Sequence, residues 1–136
     1  MKNKKYLFWI VIILVIAIIY FVSSSSARAN LGKSDEFESM KSTGDVFVLN
    51  THTPYQGEIE GTDLIIEDWQ NIALYKDKLP QDKNKKILVY CRSGRMSSSA
   101  SQQLIDLGYK NVYDLEGGMY VWVENGKKLI SKENQT

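Results

Sequence analysis

The first apolar stretch has no period. Residues 6–22 read YLFWIVIILVIAIIYFV, 17 apolar or aromatic positions without a charge. As a helix this run spans roughly 25 Å, slightly short of a hydrocarbon core of about 30 Å, and the serines at 23–26 extend it. Tyr6 and Trp9 near one end and Tyr20 near the other sit where interface aromatics sit. A buried core helix would show a polar stripe, and this one has none. The run therefore predicts a transmembrane helix or the core of a signal peptide.

Beyond it, short apolar runs alternate with amphipathic ones. Residues 23–33 are rich in Ser and Ala and read as a linker. Ser34 is placed to cap a short helix over residues 35–43, with acidic residues in its first turn and Gly44 as its stop. Residues 46–49 form a short apolar run, a buried strand. Pro54, Gly57 and Gly61 mark a loop over 53–62. Residues 64–66 make a further short strand. Trp69, Ile72, Ala73 and Leu79 give residues 68–79 an amphipathic helical period that Pro80 ends. Residues 87–90 form a second clear strand that runs into Cys91. Ala100, Leu104 and Leu107 share one face of a helix over 97–107, followed by Gly108. Residues 112–115 read as a strand and 119–123 as a short helical turn. This alternation predicts an α/β domain with a small, mostly parallel sheet flanked by helices. The chain divides into an N-terminus at 1–5, the apolar segment at 6–22, a linker at 23–33, the domain at 34–130 and a tail at 131–136.

Charge refines the picture. The chain carries 17 basic and 16 acidic residues, but Lys2, Lys4, Lys5 and Arg28 all precede residue 30. Residues 30–136 therefore hold 13 basic against 16 acidic groups, net −3. Nucleic-acid binding needs a concentrated basic surface, so this average predicts no nucleic-acid partner. The lysines ahead of the apolar run keep the N-terminus in the cytoplasm by the positive-inside rule and place the domain outside it, on a single-pass anchor in the cell membrane. The alternative is cleavage after Ala29, in the small-residue pattern Ala27-Arg28-Ala29, giving a secreted or periplasmic domain. One cysteine and one histidine exclude a disulfide framework and a His-pair or multi-cysteine metal site. No metal and no cofactor is expected.

The candidate chemistry lies at Cys91, where a strand ends, a polar loop of Arg92, Ser93, Gly94, Arg95 and Met96 follows, and a helix begins. Open α/β sheets bind ligands at the carboxyl ends of their strands. Loop N–H groups and a helix N-terminus there favour an anion, and such a field favours the nucleophilic thiolate form of a cysteine. A lone cysteine is also commonly a structural core residue. Gly94 and the two arginines weigh against that reading, because a core position would not need them.

The segment C-R-S-G-R at 91–95 with S-x-x-A at 97–100, L-x-x-L-G-Y at 104–109, N-V-Y-x-L-E-G-G at 111–118 and Trp122 resembles the rhodanese family of single-domain sulfurtransferases. Weaker similarity extends upstream to V-F-V-L at 46–49 and G-E-I-E-G-T at 57–62. The resemblance implies a rhodanese-like fold and a catalytic Cys91 that carries sulfur as a persulfide. It implies that residues 92–96 bind the substrate and the persulfide. It also implies transfer from a sulfane donor such as thiosulfate to a thiol or cyanide acceptor. The alternative is a non-catalytic, membrane-tethered module for binding or for sulfur or redox sensing. The family's Asp-Val-Arg after the first strand is replaced by Asn50-Thr51-His52, which bears on substrate preference. Rhodanese-like phosphatases use H-C-x5-R; here Tyr90 precedes the cysteine and position 97 is Ser, which argues against phosphatase chemistry. His52 reads as a surface or rim residue, Gly117-Gly118 as a tight turn near the loop, and Trp69 and Trp122 as packing residues.

Overall fold

The computed structural model describes residues 3–23 and 27–131. The first element is a helix, α1 (Asn3–Ser23). Its segment Asn3–Tyr20 is long and apolar enough to cross a membrane, and none of it is buried inside the protein. A signal sequence has the same length and composition. The Lys2, Ser24–Ser26 and 132–136 portions of the sequence reading lie outside the described residues.

Five parallel strands follow: β1 (Asn30–Gly32), β2 (Val46–Asn50), β3 (Leu64–Ile65), β4 (Lys86–Tyr90) and β5 (Asn111–Leu115). Their order in the sheet is β1-β5-β4-β2-β3. Helices α2 (Ser34–Ser42), α3 (Arg95–Asp106) and α4 (Gly118–Glu124) cover the faces. A parallel sheet covered on both sides buries both faces of its strands, which is why β4 reads as continuous apolar sequence. Ile87 and Val89 enter one core cluster with Ala100 and Leu104 of α3. Leu88 and Tyr90 enter the other, with Phe37 of α2 and Met119 and Trp122 of α4. From β2 the chain goes to β3 at one edge, then crosses back to β4 on the other side of β2. That reversal puts the crevice for a ligand at the carboxyl ends of β2 and β4.

Tyr90 ties the core to the loop at 53–62. It is fully buried, its hydroxyl accepts the Ile59 N–H at 2.9 Å, and it pairs with the Thr62 hydroxyl at 2.7 Å. Burial holds its phenol well above the usual range. Tyr90→Phe leaves the buried Ile59 N–H without an acceptor. The expected loss is about 1–3 kcal/mol, read as a lower urea midpoint at unchanged slope.

Three local expectations are corrected. Asn30–Gly32, read as linker, is an edge strand in register with Tyr113–Leu115 of β5. Backbone pairing builds it, so no side-chain period announces it. Over 68–79 only Ile72–Tyr75 is helical, as a 3-10 turn. Gln103 of α3 explains the difference: its Oε1 accepts the Ile72 N–H at 3.0 Å and its Nε2 donates to the Trp69 carbonyl at 2.9 Å. A side-chain clamp thus satisfies backbone groups that an α-helix would have paired. Ser34 does not cap α2; it is buried and accepts from Asn125 Nδ2 at 3.0 Å, while Glu36 reaches back to the Lys33 N–H at 3.2 Å.

Candidate active site

Cys91 leaves the carboxyl end of the central strand β4. It is 1% exposed, as a structural cysteine would be. Its sulfur nevertheless meets a backbone donor. The Gly94 N–H points at its Sγ, with N···S 3.1 Å. Gly94 sits at φ +96, the left-handed region that side chains avoid, and it is the N-cap of α3. The turn that starts the helix therefore also aims a backbone donor at the sulfur. A donor there stabilises negative charge on the sulfur, as thiolate or as an added sulfur anion. The helix start adds a fixed positive end.

The other loop residues take different places. α3 begins at Arg95, so Arg95 and Met96 belong to its first turn rather than to the loop. Ser93 is exposed and Met96 half-buried. The Arg92 guanidinium lies 4.7 Å from the Tyr120 ring centroid, and that of Arg95 lies 6.0 Å from the Trp69 ring. Among the described residues, Gly94 alone donates a backbone N–H to the sulfur.

α4 locks this loop from outside. The Met119 N–H donates to the Cys91 carbonyl at 2.9 Å and the Tyr120 N–H to the Arg92 carbonyl at 3.1 Å. The Gly117-Gly118 turn makes this possible, with φ +72 and +60. Beside the loop, Arg92, Tyr120, Met119, Val123 and Gln56 line a cavity of about 570 Å³. That volume is in the range of small-molecule pockets, about 300–1,000 Å³.

The replaced triplet lies inside the domain, not on its rim. Asn50, Thr51 and His52 are all buried, which corrects the surface reading of His52. Thr51 holds the end of β4 through its N–H and hydroxyl, both on the Tyr90 carbonyl, at 2.9 and 3.1 Å. His52 Nε2 pairs with Gln56 Oε1 at 3.1 Å. Proximity to Pro54 in a loop hid the burial. Trp122 is buried as expected.

Asp114 is a buried acid next to the central strand that the sequence reading passed over. It is 3% exposed on β5, in register with Val89, and its Oδ1 has no partner. Burial raises its carboxyl to about 6, against a hydrogen bond to Ser97 that lowers it. An acidic residue inside a strand that neighbours the central one was the available signal.

The rhodanese-like domain family matches residues 30–125 of this sequence. The chain belongs to the rhodanese family. Its fold is that of solved members: a rhodanese-related protein from Thermoplasma volcanium superposes with TM-score 0.62 at 25% identity, covering 74% of this chain and 97% of that one. The polysulfide-sulfur transferase homodimer from Wolinella succinogenes superposes with TM-score 0.64 at 18% identity, over 88% of this chain and 91% of that one, a likeness of fold. Among curated relatives, the tRNA uridine(34) hydroxylase of Cytophaga hutchinsonii is 31% identical over 96 residues, covering 67% of this chain and 31% of that protein. The enzyme of the same name from Yersinia pestis is 29% identical over 108 residues, covering 74% of this chain and 30% of that protein. This rhodanese domain thus spans about a third of the length of the curated relatives it matches.

Those names correct two expectations. The sequence reading assigned transfer of sulfur from a donor such as thiosulfate to a thiol or cyanide; the matched relatives are named for a tRNA hydroxylation instead. The loop motif identifies the family and says nothing of the molecule brought to it. The exclusion of nucleic acid falls with the same names, since those relatives act on a tRNA. That exclusion rested on a domain-wide net charge, an average that does not see the arginines beside Cys91.

Proposed function

We propose that this is the cysteine-nucleophile domain of an enzyme, in which Cys91 performs the generic sulfur chemistry of the rhodanese family. The supporting observation is the Gly94 N–H set on the Cys91 sulfur at the end of the central strand. In that chemistry the thiolate attacks a sulfane sulfur, an S–S bond forms to Cys91, and the donor leaves one sulfur shorter. The Gly94 N–H then faces the anion that is formed.

For a substrate, the reading follows the relatives: a tRNA, altered at uridine 34. Nucleoside analysis of tRNA from cells with and without the gene tests this. Wobble uridine is expected to change with the wild-type gene and not with Cys91→Ser. Identical profiles in all three strains would remove tRNA and leave the cysteine chemistry to be judged separately.

Helix α1 supports a membrane tether by its length and composition. Tether and substrate then constrain each other. The lysines ahead of the apolar run favour a domain outside the cytoplasm, whereas a tRNA substrate requires it inside. A reporter fused after the domain separates the two. A cytoplasmic signal keeps tRNA as the substrate, and an extracytoplasmic signal excludes it.

A further inference from the structure

We propose that the amino-terminal end of the sheet is a docking face for an anionic phospholipid surface, where Arg28 and Lys110 hold a headgroup phosphate at the cavity they share. This rests on the reading of α1 as a membrane tether.

The sheet has two unlike ends. Its strands run parallel, so Cys91 and its loop lie at one end and the starts of β1, β4 and β5 at the other. The chain arrives from α1 at that second end, and its arrival is fixed. Gln102 Nε2 of α3 donates to the Ala27 carbonyl at 3.2 Å, Ala29 packs on the core cluster that includes Leu104, and β1 begins at Asn30. Four residue steps separate Ser23, the end of α1, from Ala27. Fully extended they reach at most about 14 Å. An anionic bilayer surface attracts cations over about 10 Å at 0.1 M salt. The two lengths are comparable, so a tethered domain keeps this end where the surface attraction acts.

The face carries the charge for it. Arg28 and Lys110 line one cavity of about 310 Å³ together with Ile105, Tyr109 and Val112. Both cations are exposed, and neither has an acidic partner among the described residues. Lys83 extends the patch: its carbonyl accepts the Lys110 N–H at 3.0 Å, and its ammonium lies 3.7 Å from the Tyr109 ring centroid. Lys86 opens β4 in register with Asn111. The acids at this end are engaged locally. Asp45 pairs with Lys85, Asp106 accepts from Gln102 at 3.1 Å, and Asp82 takes the Asn84 N–H at 2.8 Å. The last carbonyls of α3 are engaged too: those of Gln103, Leu104 and Ile105 accept the N–H groups of Leu107, Tyr109 and Gly108. The negative end of that helix is thereby capped beside the cavity. Residues 30–136 are acidic on balance, so the acidic surplus lies away from this end.

Docking this way sets the direction of the Cys91 loop. Strand β4 rises about 3.3 Å per residue, which puts Cys91 about 17 Å along the strand from Lys86, on the side away from the lipid. The loop then faces a soluble partner.

The test uses the full chain, ¹⁵N-labelled, in lipid nanodiscs that carry a gadolinium-chelating headgroup lipid. In phosphatidylcholine discs with added phosphatidylglycerol, the Lys83 and Asn111 amides are expected to relax several-fold faster than that of Gly94. In phosphatidylcholine alone the contrast shrinks. Arg28→Gln combined with Lys110→Gln is expected to show the smaller contrast in both discs, with the amide spectrum of the domain core unchanged. A contrast that is the same with and without phosphatidylglycerol, or that survives in the double variant, overturns the proposal. So does a response of these amides to a tRNA and not to phosphatidylglycerol, which would give the face to nucleic acid. Flotation with phosphatidylcholine vesicles after an alkaline carbonate wash checks the tether by itself. A chain lost from the vesicles removes the tether and the docking with it, whereas a chain that floats without the lipid contrast removes the docking alone.

Discussion

Gly118→Ala is expected to cost about 2–4 kcal/mol of folding stability and to displace the Cys91 loop. Two effects add. Gly118 sits at φ +60, where a side chain costs about 1–2 kcal/mol. A Cβ built there would also stand 2.8 Å from both the carbonyl carbon and oxygen of Arg92, and closer still to the Cys91 carbonyl oxygen. Those are backbone atoms that no rotamer change moves aside. They are also the carbonyls that accept the Met119 and Tyr120 N–H groups, so relief of the clash undocks α4 from the loop. Gly126→Ala separates the two effects. Its φ is +79, but nothing lies within 4 Å of the added carbon. The expected loss there is about 1 kcal/mol, with an unchanged Cys91 alkylation rate. Urea denaturation of both variants, with alkylation measured on the folded proteins, checks the pair. Equal losses would show that the close approach of Gly118 to the loop carries no energy.

Asp114→Asn is expected to stabilise the protein at neutral and alkaline pH. The folded carboxyl titrates at about 6 and the unfolded one near 3.8. The native state therefore binds the proton more tightly. Stability is highest below the unfolded value and falls as pH rises through about 6. The span from 3.8 to about 6 corresponds to about 3 kcal/mol once the group is ionised in both states. Asn carries no such charge, so the variant should exceed wild type by up to about 3 kcal/mol at alkaline pH, and the advantage should shrink steadily on acidification. Urea midpoints at three pH values check the sign. A constant difference across pH would mean that Asp114 does not change its protonation on unfolding.

The sequence made the centre of the fold legible and its margins much less so. β2, β4, β5 and α3 were visible because burial imposes a period, either a continuous apolar strand or a helical stripe. Cys91 and its glycine were visible because a strand ending in a cysteine and then a Gly-bearing polar loop has few other uses. Gly117-Gly118 was legible as a turn beside that loop for the same reason. β1 was not, because an edge strand of three residues is held by backbone pairing to β5. The helix expected over 68–79 failed because Gln103, 31 residues beyond Ile72 and 34 beyond Trp69, takes its backbone partners. His52 was misplaced because burial of a polar residue leaves no mark on the pattern around it. Substrate was the least legible of all. The Cys91 loop encodes a backbone donor aimed at a sulfur and carries no mark of a partner molecule.

The most direct test of the central claim is the intact mass of the full chain after exposure to polysulfide, beside Cys91→Ser. Cys91 is the single cysteine of the chain, so any sulfur adduct on a thiol has one address. The account predicts a gain of one sulfur atom in the wild type, reversed by a reductant and absent from the variant. A wild-type protein that stays unmodified, while its Cys91 is shown to be reduced and to react once the chain is unfolded, would contradict it.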